Sequence, residues 1–153
     1  MSLTQRLEQL SIVLPPEALP GAQYASAVVH AGCIWVSGQL PREGDRVLVS
    51  GKLGLDVPLE EGRRAARIAL IRTLAAIRDT VGDLDALDRV LKLTVYVNST
   101  DAFTQHSAVA DGASSLLYEL LGPERGAHAR TSVGVQQLPR NGAVELDVVA
   151  ALR

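Results

Sequence analysis

Val90-Leu91-Lys92-Leu93-Thr94-Val95-Tyr96-Val97-Asn98 alternates strictly, with Leu91, Leu93, Val95 and Val97 on one side and Lys92, Thr94, Tyr96 and Asn98 on the other. Period two predicts a strand with one apolar and one polar face. The segment before it has a different period. From Pro58, which suits a first helical position, Ala66, Leu70, Leu74, Ile77 and Val81 recur at spacings of three and four up to Gly82, while Glu60 and Glu61 sit where the helix dipole favours anions. Arg63, Arg64, Arg67, Arg72 and Arg78 fall mostly elsewhere around this helix. An amphipathic helix followed by a one-sided strand predicts a helix lying on a sheet.

Tyr24–His30 and Cys33–Ser37 are β-branched and aromatic runs around Ala31-Gly32, which reads as a hairpin. Short strand material follows near Leu48. After the central strand, Phe103 through Val109, Ala113, Leu116, Leu117, Leu120 and Leu121 predicts a second helix that stops at Gly122-Pro123. Gly112 inside that helix lowers its propensity and signals close packing or a backbone approach. Thr131, Val133 and Val135, then Val144, Leu146, Val148 and Ala150, alternate on either side of Asn141-Gly142, a primed-turn signal, so the last two strands read as a hairpin. The order β-β-α-β-α-β-β predicts an α+β fold, a mainly antiparallel sheet with two helices on one face, in a single domain 1–153 with a lead-in of residues 1–22.

Composition narrows the function. The 153 residues carry one Cys, three His, one Trp, one Phe and three Tyr, with a formal net charge of −2. Few aromatics and no positive excess argue against nucleic acid. One Cys and scattered His30, His106 and His128 give no metal-ligand spacing, and the N-terminus lacks an apolar run, so the expectation is a cytoplasmic protein with no metal and no membrane span.

Two charges stand out in the last strands. Arg130 offers a guanidinium fork for a carboxylate, and Glu145, set among aliphatics, would have its pKa raised toward a general base. A strand Arg is often only a solvated charge, and a Glu in such an alternation is often only the wet face of a strand. In a hairpin turned at Asn141-Gly142, Leu138 opposes Glu145 and Arg130 lies eight residues further on, roughly 26 Å at about 3.3 Å per residue. If both serve one small substrate, they meet across a subunit boundary. The bare sheet face, read as Lys92, Thr94, Tyr96, Asn98, Ser132, Gln136, Glu145 and Asp147, is the surface that self-association would cover. Cys33 reads as a small core residue, and Gly51-Lys52-Leu53-Gly54 lacks the spacing of a phosphate loop.

The chain resembles the RidA/YjgF family of reactive-intermediate deaminases, in a branch of roughly 150 residues whose fold is likened to chorismate mutase. The resemblance rests on Ser37-Gly38-Gln39-Leu40-Pro41, Gly51-Lys52-Leu53-Gly54, Val95-Tyr96-Val97-Asn98, Asp111-Gly112-Ala113-Ser114, and Ala129-Arg130-Thr131-Ser132-Val133 through to Val144-Glu145-Leu146. It implies a homotrimer with clefts between subunits that hydrolyses 2-imino acids or their enamines, of the 2-iminobutanoate or 2-iminopropanoate type, to 2-oxo acids and ammonia without a cofactor. It places the carboxylate-binding arginine on Arg130, the water-activating glutamate on Glu145, and further substrate contacts on Tyr24, Ser37, Gly38 and Ser132. The family's usual Cys two residues after the arginine is Ser132 here. Asp111 stands where short members have Asn, an acidic residue that would oppose an anionic substrate. Competing functions are a non-catalytic trimer binding a small carboxylate, and the RNA cleavage or translation inhibition attributed to some relatives. Chorismate mutase activity is a fold analogy alone, and no second Arg is obviously placed in the sequence for a dicarboxylate.

Overall fold

A computed structural model describes residues 1–16 and 23–153; the rest of the lead-in, 17–22, lies outside the described residues. In chain order the elements are α1 (Leu3–Gln9), β1 (Ala27–His30), β2 (Cys33–Gln39), β3 (Arg42–Glu43), β4 (Arg46–Val47), α2 (Leu59–Val81), β5 (Leu87–Asn98), α3 (His106–Arg125), β6 (Ala129–Val135) and β7 (Val144–Leu152). Pro58 is the N-cap of α2 and stands just outside it, and Gly82 closes the helix with φ 80°. Ala66, Leu70, Leu74 and Ile77 are buried as their spacing predicts. Arg72 is buried as well, although it shares its helix with solvent-facing arginines.

Gly112 is where α3 meets α2. A Cβ there would come 2.1 Å from the carbonyl oxygen of Arg63, so the crossing admits only glycine. Gly122, at φ 77° and ψ 176°, breaks α3 where the Gly-Pro signal stops it, and a final turn follows. The lead-in is anchored through α1. Ser2 and Gln5 form a capping box, the Leu3 amide donates to Asp85 at 2.6 Å, and Leu3 and Leu7 are buried, worth roughly 1.5–3 kcal/mol each.

The five-stranded sheet has the order β1-β2-β7-β5-β6, antiparallel throughout except for the parallel pair β5–β6. This overturns the expected hairpin of the last two strands, since β5 lies between β6 and β7. A parallel pair needs a long crossover, and α3 supplies it between β5 and β6, which sends β6 to the edge. The left-handed turn also sits one residue earlier than the Asn-Gly signal: Arg140 (φ 55°) and Asn141 (φ 56°) are its central residues, closed by the Gly142 amide donating to the Pro139 carbonyl.

The phase of β6 corrects the expected bare face. Parallel register pairs Thr131 with Thr94 and Val133 with Tyr96, so these share the open side; Arg130 pairs with Leu93 and Ser132 with Val95, which puts Arg130 and Ser132 on the helix side. Asn98 is buried, its amide donating to the carbonyls of Gly51 and Gly142 and its oxygen accepting from Lys52. The Gly51-Lys52 turn thus tethers a loop to the sheet end. A register shift between Val90 and Lys92 turns Leu91 outward, 41% exposed, and buries Val90 in its place. Among the described residues no helix is long and apolar enough to cross a membrane.

Candidate active site

Glu145 stands on the bare face of β7, opposite Tyr96 of β5. On its other side β2 bulges: Val36 pairs with Val148 but Gln39 with Leu146, so Ser37-Gly38 hold one residue more than the strand they face. The bulge puts Gly38 against the carboxylate. A Cβ on Gly38 would lie 2.1 Å from Glu145 Oε1, so the missing side chain is the space that the carboxyl occupies. Ser37 turns away, its hydroxyl donating to the Ala25 carbonyl at 2.7 Å while its amide donates to Ser26, which fixes the approach of Tyr24. Tyr24, Gly38 and Glu145 line one cleft of about 230 Å³, together with Leu40, Pro139 and two residues that sequence reasoning missed, Arg42 and Arg140.

The electrostatics suit a base. Burial first, and then the nearby Asp147, push the Glu145 carboxyl above the ordinary carboxylate range. The Tyr96 hydroxyl donates to Asp147 at 3.1 Å and is itself pushed up by burial, Asp147 and Glu145. Arg140 holds a left-handed backbone, a conformation costing an L-residue roughly 1–2 kcal/mol, and its Nη1 donates to the Asp45 carbonyl at 2.7 Å. Gly38→Ala is expected to lower stability by about 1–3 kcal/mol through overpacking and to displace the carboxylate. Thermal melts check this: the same substitution in a Glu145→Ala background should cost clearly less, because the colliding group is gone.

Arg130 and Ser132 form a second, separate cluster. Arg130 Nη1 donates to Asp111 at 2.7 Å and to the Ser114 hydroxyl at 3.0 Å, and Nη2 reaches the Ser107 carbonyl at 3.4 Å. Asp111, expected to oppose an anion, is thus matched by the arginine and steadies it. His128 joins this network. Its Nδ1 lies 2.6 Å from the Gly126 carbonyl, which assigns the proton there and leaves Nε2 to accept from Ser114 at 2.9 Å. Ser132 lies 3.3 Å from the Ser107 hydroxyl. The signal for this cluster in the sequence is helical spacing alone, Ser107, Asp111 and Ser114 falling three and four apart on α3.

The two clusters do not converge within one chain. Arg130 is level with Leu93 and Glu145 with Tyr96, so they are offset by roughly 10 Å along the strands and roughly 10 Å across β5, at about 3.3 Å per residue and 4.8 Å per strand. This replaces the 26 Å hairpin separation. They also lie on opposite faces of the sheet. A depression of about 480 Å³ lined by Ser99, Asp101, Phe103, His106, Gly134 and others contains none of the expected site residues.

Residues 16–152 match the family described as Endoribonuclease L-PSP. The chain belongs to that family. It is the RidA/YjgF family that the sequence motifs resemble. Protein TCP17 of Trypanosoma cruzi is 42% identical over 146 residues, covering 95% of this chain and 91% of that protein. The crystal structure of Atu1372 from Agrobacterium tumefaciens, a protein of unknown function, superposes with a TM-score of 0.90 at 36% identity, covering 99% of this chain and 92% of the other. The YjgF product of E. coli shares the fold, with a TM-score of 0.62 at 24% identity over 92% of this chain and 98% of that one. Within this RidA/YjgF chain the motif residues thus divide into a Glu145 half and an Arg130 half.

Proposed function

We propose that the protein is a homotrimeric 2-imino acid hydrolase whose active sites form between subunits, Glu145 coming from one protomer and Arg130 from its neighbour. The observation that carries the reading is the half-buried Glu145, its carboxyl raised above the ordinary carboxylate range by burial and Asp147 in a small cleft, in a chain whose carboxylate-binding candidate Arg130 lies on the other face. The bare sheet face supports association, since Val28, Trp35 and Val133 are 57%, 45% and 39% exposed on it.

Arg130 anchors the substrate carboxylate. Asp111 and Ser114 engage Nη1 and the Ser107 carbonyl accepts from Nη2, so Nε and the second Nη2 hydrogen are the donors left for a ligand. Glu145 takes a proton from water as the oxygen bonds to the imine carbon, and the C=N electron pair passes to nitrogen. With the imine protonated at the outset, the carbinolamine is neutral. It collapses when the proton held by Glu145 reaches nitrogen, the C–N bond breaks with its electron pair on the departing ammonia, C=O forms, and the hydroxyl proton passes to the Glu145 carboxylate and out to solvent, replacing the one that protonated the imine. The balance is imine and water to 2-oxo acid and ammonia, with no redox change.

The test supplies 2-iminobutanoate or 2-iminopropanoate from an amino-acid oxidase or a threonine dehydratase and follows ammonia release. Acceleration by the protein, lost in Arg130→Ala, is the expected result; an unchanged rate of imine loss sinks the reading. The acid limb of kcat/KM should lie above the ordinary carboxylate range, because Glu145 must be ionised to act and its pKa is raised. Asp147→Asn removes the like charge, lowers the Glu145 pKa and should shift that limb to lower pH; an unmoved limb would assign it to another group. The net charge of −2 and the sparse aromatics weigh against RNA as substrate.

A further inference from the structure

Two arginines line the cleft that holds Glu145, and Glu145 is the one carboxylate among its lining residues. Arg42 reaches it from β3 and Arg140 from the turn before β7, and among the described residues neither is in an ion pair. Neither pairs with Glu145, whose carboxyl is raised by burial and by Asp147. One donor of Arg140 is held by a backbone carbonyl and its others have no partner among the described residues, while the Arg42 backbone is what anchors Arg72. Arg140 is steadied by the Asp45 carbonyl from its left-handed position, and the carbonyl of Arg42 accepts from Nη1 of Arg72 at 3.2 Å.

Arg72 adds a third uncompensated charge behind the first. It is only 4% exposed, its Nε has no partner, and both burial and the Arg42 charge disfavour its ionised form. Like charges gathered beside a concave site raise the local concentration of anions and are relieved when one binds. The strained backbone at Arg140, beside a site, points the same way.

We infer that the substrate is a 2-imino dicarboxylate, its second carboxylate lying between Arg42 and Arg140 while the first is held by Arg130 of the neighbouring subunit. This rests on the imine-hydrolase reading and narrows it. A cleft of about 230 Å³ is below the usual range for drug-sized ligands and suits a short diacid, of the 2-iminosuccinate or 2-iminoglutarate kind, with its 2-oxo dicarboxylate product. Arg42 and Arg140 are far apart in sequence, which is why no second Arg was obvious there.

The experiment compares kcat/KM for 2-iminosuccinate, supplied by an aspartate-oxidising flavoenzyme, with that for 2-iminobutanoate. The wild type should prefer the dicarboxylate about tenfold or more, and Arg42→Ala and Arg140→Ala should each reduce that preference by about tenfold, as expected for losing a hydrogen bond to a charged group. Turnover of 2-iminobutanoate with equal or better efficiency, and a ratio that neither substitution moves, would overturn the dicarboxylate proposal and leave the hydrolase reading standing. If neither imine is hydrolysed, the hydrolase reading fails, and calorimetry decides the rest. Tighter binding of oxaloacetate than of 2-oxobutanoate, lost in Arg140→Ala, supports a two-anion site; equal binding overturns it.

Discussion

Glu145→Gln should lower imine hydrolysis by about 10²–10⁴-fold while the protein melts no lower than wild type at neutral pH. The activity loss follows from removing the proposed general base with its shape retained. The stability follows from linkage. The folded-state pKa of Glu145 is raised, so the native state holds its proton more tightly than the unfolded chain does. Stability therefore falls as pH rises from the ordinary carboxylate range through the raised value, and above it the cost of an ionised buried carboxylate is fully present. Glutamine carries no such charge. The melting temperatures of variant and wild type should coincide in acid and separate in that window, with the variant higher. A variant that melts lower at every pH would mean that the carboxylate is structural, and its loss of activity would then say nothing about a base.

That opposition between activity and stability explains why Glu145 could be singled out from sequence while its surroundings could not. A carboxylate flanked by aliphatics is visible without coordinates, although its place in the alternation also fits the wet face of a strand. Gly38 is informative only once β2 is known to bulge at Ser37-Gly38, and Arg42 and Arg140 enter the cleft through a two-residue strand and a left-handed turn with no periodicity to read. Helix α2 and the β1–β2 hairpin were legible because their signals are local: spacing of three and four in one, Ala31-Gly32 between two β-branched runs in the other.

Strand pairing was not local. The alternation in β6 and β7 is compatible with a hairpin or with a strand inserted between them, and the α3 crossover decides for the second. The same inversion moved Ser132 to the helix side and brought Arg130 against Asp111 and Ser114. Arg72 escaped for a related reason. Nothing in helical spacing distinguishes a buried arginine two residues past Leu70 from the exposed ones around it, and the contact that holds it, the Arg42 carbonyl, comes from a different element.

Mixing subunits should restore what each single substitution destroys. Arg130→Ala removes the proposed carboxylate anchor and leaves Asp111 without its ion pair; Glu145→Gln removes the proposed base. If a site takes Arg130 from one protomer and Glu145 from the next, a co-refolded equal mixture of the two inactive variants contains intact sites. In a cyclic oligomer assembled at random, the subunit supplying Arg130 is native at that position in half of the cases, and so independently is the one supplying Glu145, so about a quarter of wild-type activity returns. If both residues served a site within one chain, every site would carry one lesion and the mixture would stay as inactive as its components. The geometry favours the first outcome, because the guanidinium lies on the helix side of β6 and the carboxylate on the bare side of β7, with β5 between them. A double Arg130→Ala, Glu145→Gln variant mixed with wild type is the control. It too leaves about a quarter of the sites intact when the residues come from different protomers, but about half when they come from the same one. The two mixtures together therefore separate a shared site from a private one by activity alone.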